Sequence, residues 1–213
     1  MIKNEILERL SRTDGLRLGI EPLLDEKQIG EMTVDLRLGY DFLVSIVTRR
    51  PYIGVARDDE RFRPISTYFQ PTRRELGERF ILYPDQVVLT TTLEYIALPS
   101  DCYADVLTRS SYTRLGISVS TMVQPGFRGC FSIELFNHGN NPIELVVGAK
   151  MFQMRLTKLS DGLSYGGLDR KYFGNVRPTP SRAADDEDLQ KLKAISERQR
   201  HQVPSEIGNA DVS

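Results

Sequence analysis

The chain has 213 residues, 40% hydrophobic and 27% charged, which suits one sizeable domain or one domain with an appendage. Its 28 basic and 29 acidic side chains give a net charge of −1, which argues against a protein that grips duplex nucleic acid mainly through its phosphates. The first twelve residues lack the apolar core of a signal peptide, and no segment is long enough to span a membrane. We therefore expect neither a nucleic-acid nor a membrane partner.

The cysteines and histidines are too few and too scattered for zinc chemistry. A catalytic zinc needs three protein ligands, and the whole supply is Cys102, Cys130, His138 and His201, with no two at ligand spacing. Two isolated cysteines also form no disulfide framework, so a cytoplasmic location is expected. Any hydrolytic chemistry should rest on carboxylates, hydroxyls and water.

The first eighty residues predict a helix followed by strands. In residues 1–15, apolar side chains recur at spacings of one, three and four before an Asp-Gly turn, which predicts a short helix. Residues 34–38 alternate apolar with polar side chains, residues 42–47 are mostly apolar, and both segments predict strands. Residues 48–79 are rich in charge and contain three prolines, so we expect a long excursion or an irregular hairpin there.

The middle of the chain predicts many short strands separated by turn signals. The segments are Phe80–Tyr83, Val87–Thr92, Tyr95–Leu98, Tyr103–Leu107, Ile117–Val123, Cys130–Phe136, Ile143–Val147 and Met151–Leu156. No helical pattern of ten to fifteen residues intervenes, so the pattern favours an antiparallel sandwich or barrel over alternating strands and helices. The glycine-rich phosphate loops of the usual nucleotide-binding folds are also absent from the sequence.

The C-terminal stretch changes character at about Arg177. A Pro- and Ser-containing linker precedes a run of acidic residues at 185–188, and apolar residues then recur every third position, which predicts one helix. Beyond Gln202 the chain is polar, and we expect it to be frayed. A solvated helix leaning on its own domain is favoured over a partner-binding helix.

The densest group of chemically useful side chains lies between Arg109 and Asn137. Arg109-Ser110-Ser111 follows a predicted strand and Arg114 comes soon after, offering two guanidinium groups and two hydroxyls. Such a segment can clamp a triphosphate or a sugar without a glycine-rich loop. Turn chemistry and an exposed salt bridge explain the same residues equally well.

A tight turn and a strand glutamate follow. Pro125 and Gly126 occupy the second and third places of a predicted type II turn, from which Phe127 projects as a core plug or as a platform for a ring. Glu134 shares one face of its strand with cysteine, serine and phenylalanine, so we expect a half-buried carboxylate with a raised pKa, suited to general acid–base work. A solvent-facing Glu134 on an amphipathic strand is an equally favoured alternative.

These residues, in this order, resemble the dCTP deaminases, the deaminating branch of the trimeric dUTPase superfamily. The matching segments are Val34–Gly39, Leu82–Pro84, Arg109–Gly116, Pro125–Gly129, Ile133–Asn137, Asn141–Ile143 with Gly148, and Tyr165 with Lys171–Asn175, Pro178 and Ser181. The resemblance covers about residues 1–182. It leaves residues 183–213 as a C-terminal helix and polar tail.

The resemblance implies a mainly β fold, a distorted jelly roll assembled as a homotrimer with sites at subunit interfaces. It implies deamination of dCTP to dUTP and ammonia without zinc, with Mg²⁺ carried by the triphosphate. Glu134 would be the general base that activates water for attack at C4 of cytosine, with Ser110 and Arg114 orienting that water and the base. Nucleotide contacts would come from Arg109, Ser111, Gln124, Phe127, Ser132, Ile133, Tyr165, Lys171 and Asn175.

Some of these nucleotide contacts have specific roles by resemblance. Arg109 and Ser111 would hold phosphate, and Phe127 would pack on the deoxyribose where a 2′-hydroxyl would clash. The segment with Tyr165, Lys171 and Asn175 would close over the phosphates.

Three positions depart from the family pattern. Gln124 stands where an acidic residue is usual; it can accept a hydrogen bond from a 3′-hydroxyl but cannot take a proton, so hydrolysis of dUTP to dUMP is not expected. The connection over residues 115–123 is a few residues short, and Asn175 replaces a glutamine. The alternative function is therefore a catalytically weakened relative that binds a deoxynucleotide as a sensor or regulator.

Overall fold

A computed structural model of the chain describes residues 1–57, 62–160 and 174–202. The chain divides into two compact units. Met1–Arg49 with Ser66–Pro180 form the larger unit, which contains all the strands, and Arg50–Ile65 with the chain from Ser181 onward form the smaller. The candidate site residues in the described ranges all belong to the larger unit.

Three α-helices and twelve strands make up the described chain. The helices are α1 (Lys3–Ser11), α2 (Ser110–Thr113) and α3 (Glu187–Gln202). The strands are β1 (Gly19–Glu21), β2 (Val34–Arg37), β3 (Asp41–Ser45), β4 (Phe69–Arg73), β5 (Arg79–Leu82), β6 (Val87–Ala97), β7 (Cys102–Thr108), β8 (Ile117–Ser118), β9 (Ser120–Val123), β10 (Arg128–Asn137), β11 (Ile143–Val146) and β12 (Lys150–Lys158). Short 3₁₀ turns lie at Glu26–Gln28, Ile65–Tyr68 and Ala183–Asp185.

The strands form three antiparallel sheets. The largest has the order β4-β3-β6-β10-β8, with β1 paired to β6; a second has the order β2-β12-β7-β9; and β11 pairs with β5. Neighbours in a sheet are often distant in sequence, which is how jelly-roll and Greek-key folds close around a core. The mainly β, distorted jelly-roll class expected from the sequence is confirmed.

Alternation along the strands builds the core. In β10, Phe131, Ile133 and Leu135 are buried while the residues between them face outward or are half-buried. The rings of Phe42 and Phe80 stack at 4.2 Å between centroids and join two of the sheets. Burying side chains of this size contributes about 1.5–3 kcal/mol each, so the inward faces hold the fold together.

Three predicted elements differ in the structure. The segments predicted as separate strands over 87–98 form one strand, β6, with an irregularity near its middle. The region 48–79 contains a strand, β4, which the sequence hides because Pro71 lies in it. Among the described strands β4 pairs with β3 alone, and an edge strand tolerates proline. The segment 117–123 forms two strands, since β8 pairs with β10 and β9 pairs with β7.

The smaller unit confirms the predicted C-terminal helix. α3 begins at Glu187 within the acidic run, and Asp185 ahead of it pairs with Arg57 and, at 2.8 Å, with Arg182. The side chains of Leu192 and Ile195 are exposed. The expected fraying beyond Gln202 lies outside the described residues. In the part of the chain that the structure describes, no helix is long and apolar enough to cross a membrane.

Candidate nucleotide-binding site

Glu134 lies on the outer face of β10. Because Ile133 and Leu135 on either side fill the core, the intervening Glu134 side chain points outward and is exposed. Its Oε2 accepts a hydrogen bond from the Thr121 hydroxyl of β9 at 2.9 Å. The prediction of a half-buried carboxylate is therefore wrong for the single chain, and the solvent-facing alternative is correct there.

Thr121 was not singled out from the sequence, yet it is the side chain that holds this carboxylate. A hydroxyl donating to an ionised oxygen fixes the direction in which the remaining lone pairs point. No local pattern signals this contact, because Thr121 and Glu134 lie on different strands and are thirteen residues apart in the sequence.

We expect Thr121→Val to lower kcat for dCTP about tenfold, since the loss of one hydrogen bond to a charged group is worth about 1.5 kcal/mol. The change preserves the shape of the side chain and its preference for a strand. Thr157→Val is the matched control, because Thr157 is also half-buried on a strand and its hydroxyl has no hydrogen-bond partner among the described residues. Steady-state ammonia release checks the prediction, and equal kcat values for the two variants would contradict it.

Arg109 is fixed where β7 ends and the single turn of α2 begins. Its backbone N–H donates to the Met151 carbonyl at 2.9 Å, and its guanidinium donates to the Lys150 carbonyl at 3.4 Å. Arg109 Nε also lies 3.7 Å from Asp35 Oδ1, so strands β2 and β12 orient the side chain. Asp35 is a second residue that sequence reasoning missed as a site neighbour.

The other residues of this segment are open to solvent. Ser110, Ser111 and Arg114 are exposed, and the backbone N–H of Arg114 donates to the Ser110 carbonyl at 3.1 Å. Two hydroxyls and a guanidinium on one short turn can receive an anion without rearrangement of the core.

The type II turn is confirmed. Gly126 has φ +72°, which the third position of that turn requires, and the Phe127 N–H donates to the Gln124 carbonyl at 3.3 Å. Phe127 is half-buried, with its ring 5.3 Å from that of Phe131. The aromatic side chain is thus anchored on the core while part of it stays accessible, and the Gln124 side chain is exposed.

The segment around Asn175 packs directly on this turn. The Gly174 N–H donates to the Arg128 carbonyl at 2.8 Å, and the Cys130 N–H donates to the Asn175 carbonyl at 2.9 Å. A Cβ on Gly129 would lie 2.5 Å from the Asn175 oxygen, so this close approach needs glycine. Asn175 lies beside Phe127, and its expected role over the phosphates stays a prediction; Tyr165 and Lys171 lie outside the described residues.

The remaining predicted nucleotide contacts lie on β10. Ser132 is half-buried, and the Ile133 side chain is fully buried in the core, so only the backbone of Ile133 is available to a ligand. Within the described ranges, no hydrogen bond or ion pair joins Glu134 to Ser110 or Arg114. The single chain therefore pairs Glu134 with Thr121 and places Phe127 beside Asn175, without linking the proposed base directly to Ser110 and Arg114.

Burial makes the two cysteines unsuitable as catalytic nucleophiles. Burial raises the pKa of both Cys102 and Cys130 to about 11, so both remain neutral thiols near pH 7 and are poor nucleophiles. No three His, Cys, Asp or Glu side chains in the described ranges are grouped to hold a metal ion.

Comparisons with known proteins agree on one family. A family model described as dCTP deaminase-like matches residues 2–159. A Methanobrevibacter smithii protein named dCTP deaminase, dUMP-forming, is 37% identical over 182 residues, covering 82% of this chain and 92% of that protein. A Halorubrum lacusprofundi protein named dCTP deaminase is 38% identical over 189 residues, covering 85% of this chain and 90% of that protein.

The fold also has a solved counterpart. The crystal structure of 2′-deoxycytidine 5′-triphosphate deaminase from Agrobacterium tumefaciens superposes with a TM-score of 0.54 at 23% identity, covering 73% of this chain and 47% of that one. The chain thus spans about half the length of that structure, and the likeness supports the fold. With a family model over residues 2–159 and relatives matched over most of their lengths, the chain belongs to the dCTP deaminase-like family.

Proposed function

We propose that this protein deaminates dCTP to dUTP and ammonia. The observation that carries the proposal is the Glu134 carboxylate, exposed on β10 and held by the Thr121 hydroxyl at 2.9 Å. In the proposed reaction Glu134 takes a proton from water as the water oxygen bonds to C4 of cytosine. That proton passes to N3 as the C4–N3 double bond opens. The proton of the new C4 hydroxyl then passes through Glu134 to the exocyclic amine, the C4–N bond to that amine breaks, and ammonia leaves as the C4 carbonyl forms. Relatives named dCTP deaminase support this substrate.

A homotrimer with shared sites is the proposed assembly. Ser110 and Arg114 of a second copy would approach Glu134, because the single chain makes no bond between them in the described ranges. Both side chains are exposed and therefore free to face a neighbouring copy. Burial of Glu134 between two copies would supply the low-dielectric surroundings that strengthen general-base catalysis.

The triphosphate would be held by arginine and backbone groups. Arg109 is oriented by Asp35 and Lys150, and the exposed Ser111 follows two residues later, within α2. Mg²⁺ would be held by the phosphate oxygens, where it neutralises charge, since the described side chains group no three acidic, His or Cys ligands. The exposed part of Phe127 would pack on the deoxyribose.

The proposed product is dUTP and not dUMP. Gln124 is exposed beside the Phe127 turn and is a neutral amide, so it cannot activate water for attack on the phosphates. Several relatives of similar identity are named dUMP-forming. Among such relatives the residue at this position, and not overall similarity, would decide the product.

A deoxynucleotide sensor of the same fold is the second candidate. Gln124, which cannot take a proton, and the short connection over residues 115–123, which forms β8 and β9, favour it. Such a protein would bind dCTP and release no ammonia.

Ammonia release from dCTP tests the proposal directly. We expect ammonia from dCTP and much less from CTP, loss of activity in EDTA and recovery with added Mg²⁺. Light scattering should give three times the 24.2 kDa mass of one chain. Stabilisation of the fold by dCTP without ammonia release would instead support the sensor, and a monomer would contradict the shared site.

A further inference from the structure

Strand β6 is irregular directly opposite the start of the Glu134 segment. Cys130 pairs with Tyr95 and Ser132 pairs with Thr91, so residues 92–94 of β6 face Phe131 alone on β10. Extra residues of this kind interrupt the ladder and leave backbone groups without their usual partners; they are frequent near active sites.

The Thr92 hydroxyl replaces a backbone hydrogen bond at the point where the ladder is interrupted. It accepts a hydrogen bond from the Phe131 N–H at 3.0 Å and donates to the Glu94 carbonyl at 2.9 Å. Thr92 and Phe131 are both buried, so water cannot substitute for this contact. One side chain therefore satisfies backbone groups on both strands.

Glu94 fixes the C-terminal end of the irregular segment of β6. Its buried carboxylate accepts from the Arg37 N–H of β2 at 2.9 Å and from Gln28 Nε2 at 3.1 Å. Burial raises the pKa of Glu94. Residues 92–94 are thus tied to β10 through Thr92 and to β2 through Glu94, so the irregularity has one defined geometry.

We propose that Thr92 is a positioning residue that sets the placement of Glu134 and Ser132. These residues follow Phe131 on β10, and the Phe131 N–H is the point at which β10 is attached to the irregular part of β6. The proposal rests on the proposed function in that Glu134 is the base whose placement matters. Loss of the Thr92 hydroxyl lets β10 shift at Phe131, and displacement of a base by about 1 Å can cost about a hundredfold in rate.

Thr90 provides a matched control on the same strand. Thr90 is fully buried and its hydroxyl donates to the Asp41 carbonyl at 3.0 Å, but it makes no bond to the backbone of β10 outside the regular ladder. Thr92→Val and Thr90→Val each replace a buried hydroxyl with a methyl group of the same size. Both should lower the melting temperature, whereas only Thr92→Val should alter β10.

Steady-state kinetics with dCTP separate the two effects. We expect Thr92→Val to lower kcat about tenfold to a hundredfold with KM within about twofold of wild type. Thr90→Val should keep kcat, and Thr92→Ser, which retains the hydroxyl, should restore most of it. Equal kcat values for Thr92→Val and Thr90→Val, or a Thr92→Ser variant as slow as Thr92→Val, would overturn the proposal. If Thr92→Val does not fold, Thr92→Ala against Thr90→Ala decides in the same way.

Hydrogen exchange gives a readout that does not depend on the reaction. The β10 segment with Phe131 and Glu134 should exchange faster in Thr92→Val than in Thr90→Val, and unchanged exchange would overturn the positioning role. A wild-type protein that releases no ammonia would contradict the proposed function alone, since the exchange comparison still decides whether Thr92 holds β10.

Discussion

Glu134→Gln is expected to abolish ammonia release from dCTP while leaving nucleotide binding intact. General acid–base catalysis contributes about 10²–10⁴-fold, and a glutamine keeps the size of the side chain but cannot accept a proton from water. The amide oxygen can still accept the hydrogen bond from Thr121, so the orientation of the side chain survives. The effect should therefore fall on kcat and not on affinity.

Glu144→Gln is the control for this experiment. Glu144 is also an exposed strand glutamate, on β11, where it pairs with Arg79. Surface pairs of this kind contribute about 0–1 kcal/mol, so that variant should keep both stability and activity. Ammonia release and dCTP binding by calorimetry measure the two properties separately. Deamination by Glu134→Gln at the wild-type rate would show that another group is the base.

The placement of Glu134 shows what the alternation of apolar and polar residues in β10 predicts and what it does not. Alternation in β10 correctly predicts which side chains fill the core, because a strand turns successive residues to opposite faces. It does not tell whether the outer face is covered. The prediction of a half-buried Glu134 failed in the single chain for this reason, since cover for that face must come from another element or another copy.

The other residues that the sequence pattern missed make contacts between segments that are distant along the chain. Thr121 meets Glu134, and Asp35 approaches Arg109, only after the strands have paired in their observed register. The same holds for Thr92, which merely ends a predicted strand in the sequence but replaces a ladder bond in the structure. The Pro125-Gly126 turn was predictable because its chemistry is local to four residues.

Gln124→Asp is expected to add release of pyrophosphate from dUTP, a step that the wild-type protein performs slowly or not at all. Hydrolysis to dUMP needs a group that takes a proton from water as the water oxygen bonds to the α-phosphorus and pyrophosphate leaves. Gln124 is exposed beside the Phe127 turn, and its side chain is a neutral amide. A carboxylate in its place supplies the missing base without a change in the fold.

The expected increase in the rate of pyrophosphate release follows from the rate enhancement that a positioned general base contributes. At the low end of about 10²–10⁴-fold for general-base catalysis, Gln124→Asp should raise pyrophosphate release by at least about tenfold even if the geometry is imperfect. Gln124→Asn is the matched control, because asparagine has the size of aspartate and the chemistry of the native amide. This variant should release pyrophosphate at the wild-type level.

Ammonia and pyrophosphate measured in one reaction give the partition between dUTP and dUMP for each variant. Equal amounts of the two from the wild-type protein would mean that dUMP is formed with an amide at position 124, and that another group, in this chain or in a neighbouring copy, activates the second water.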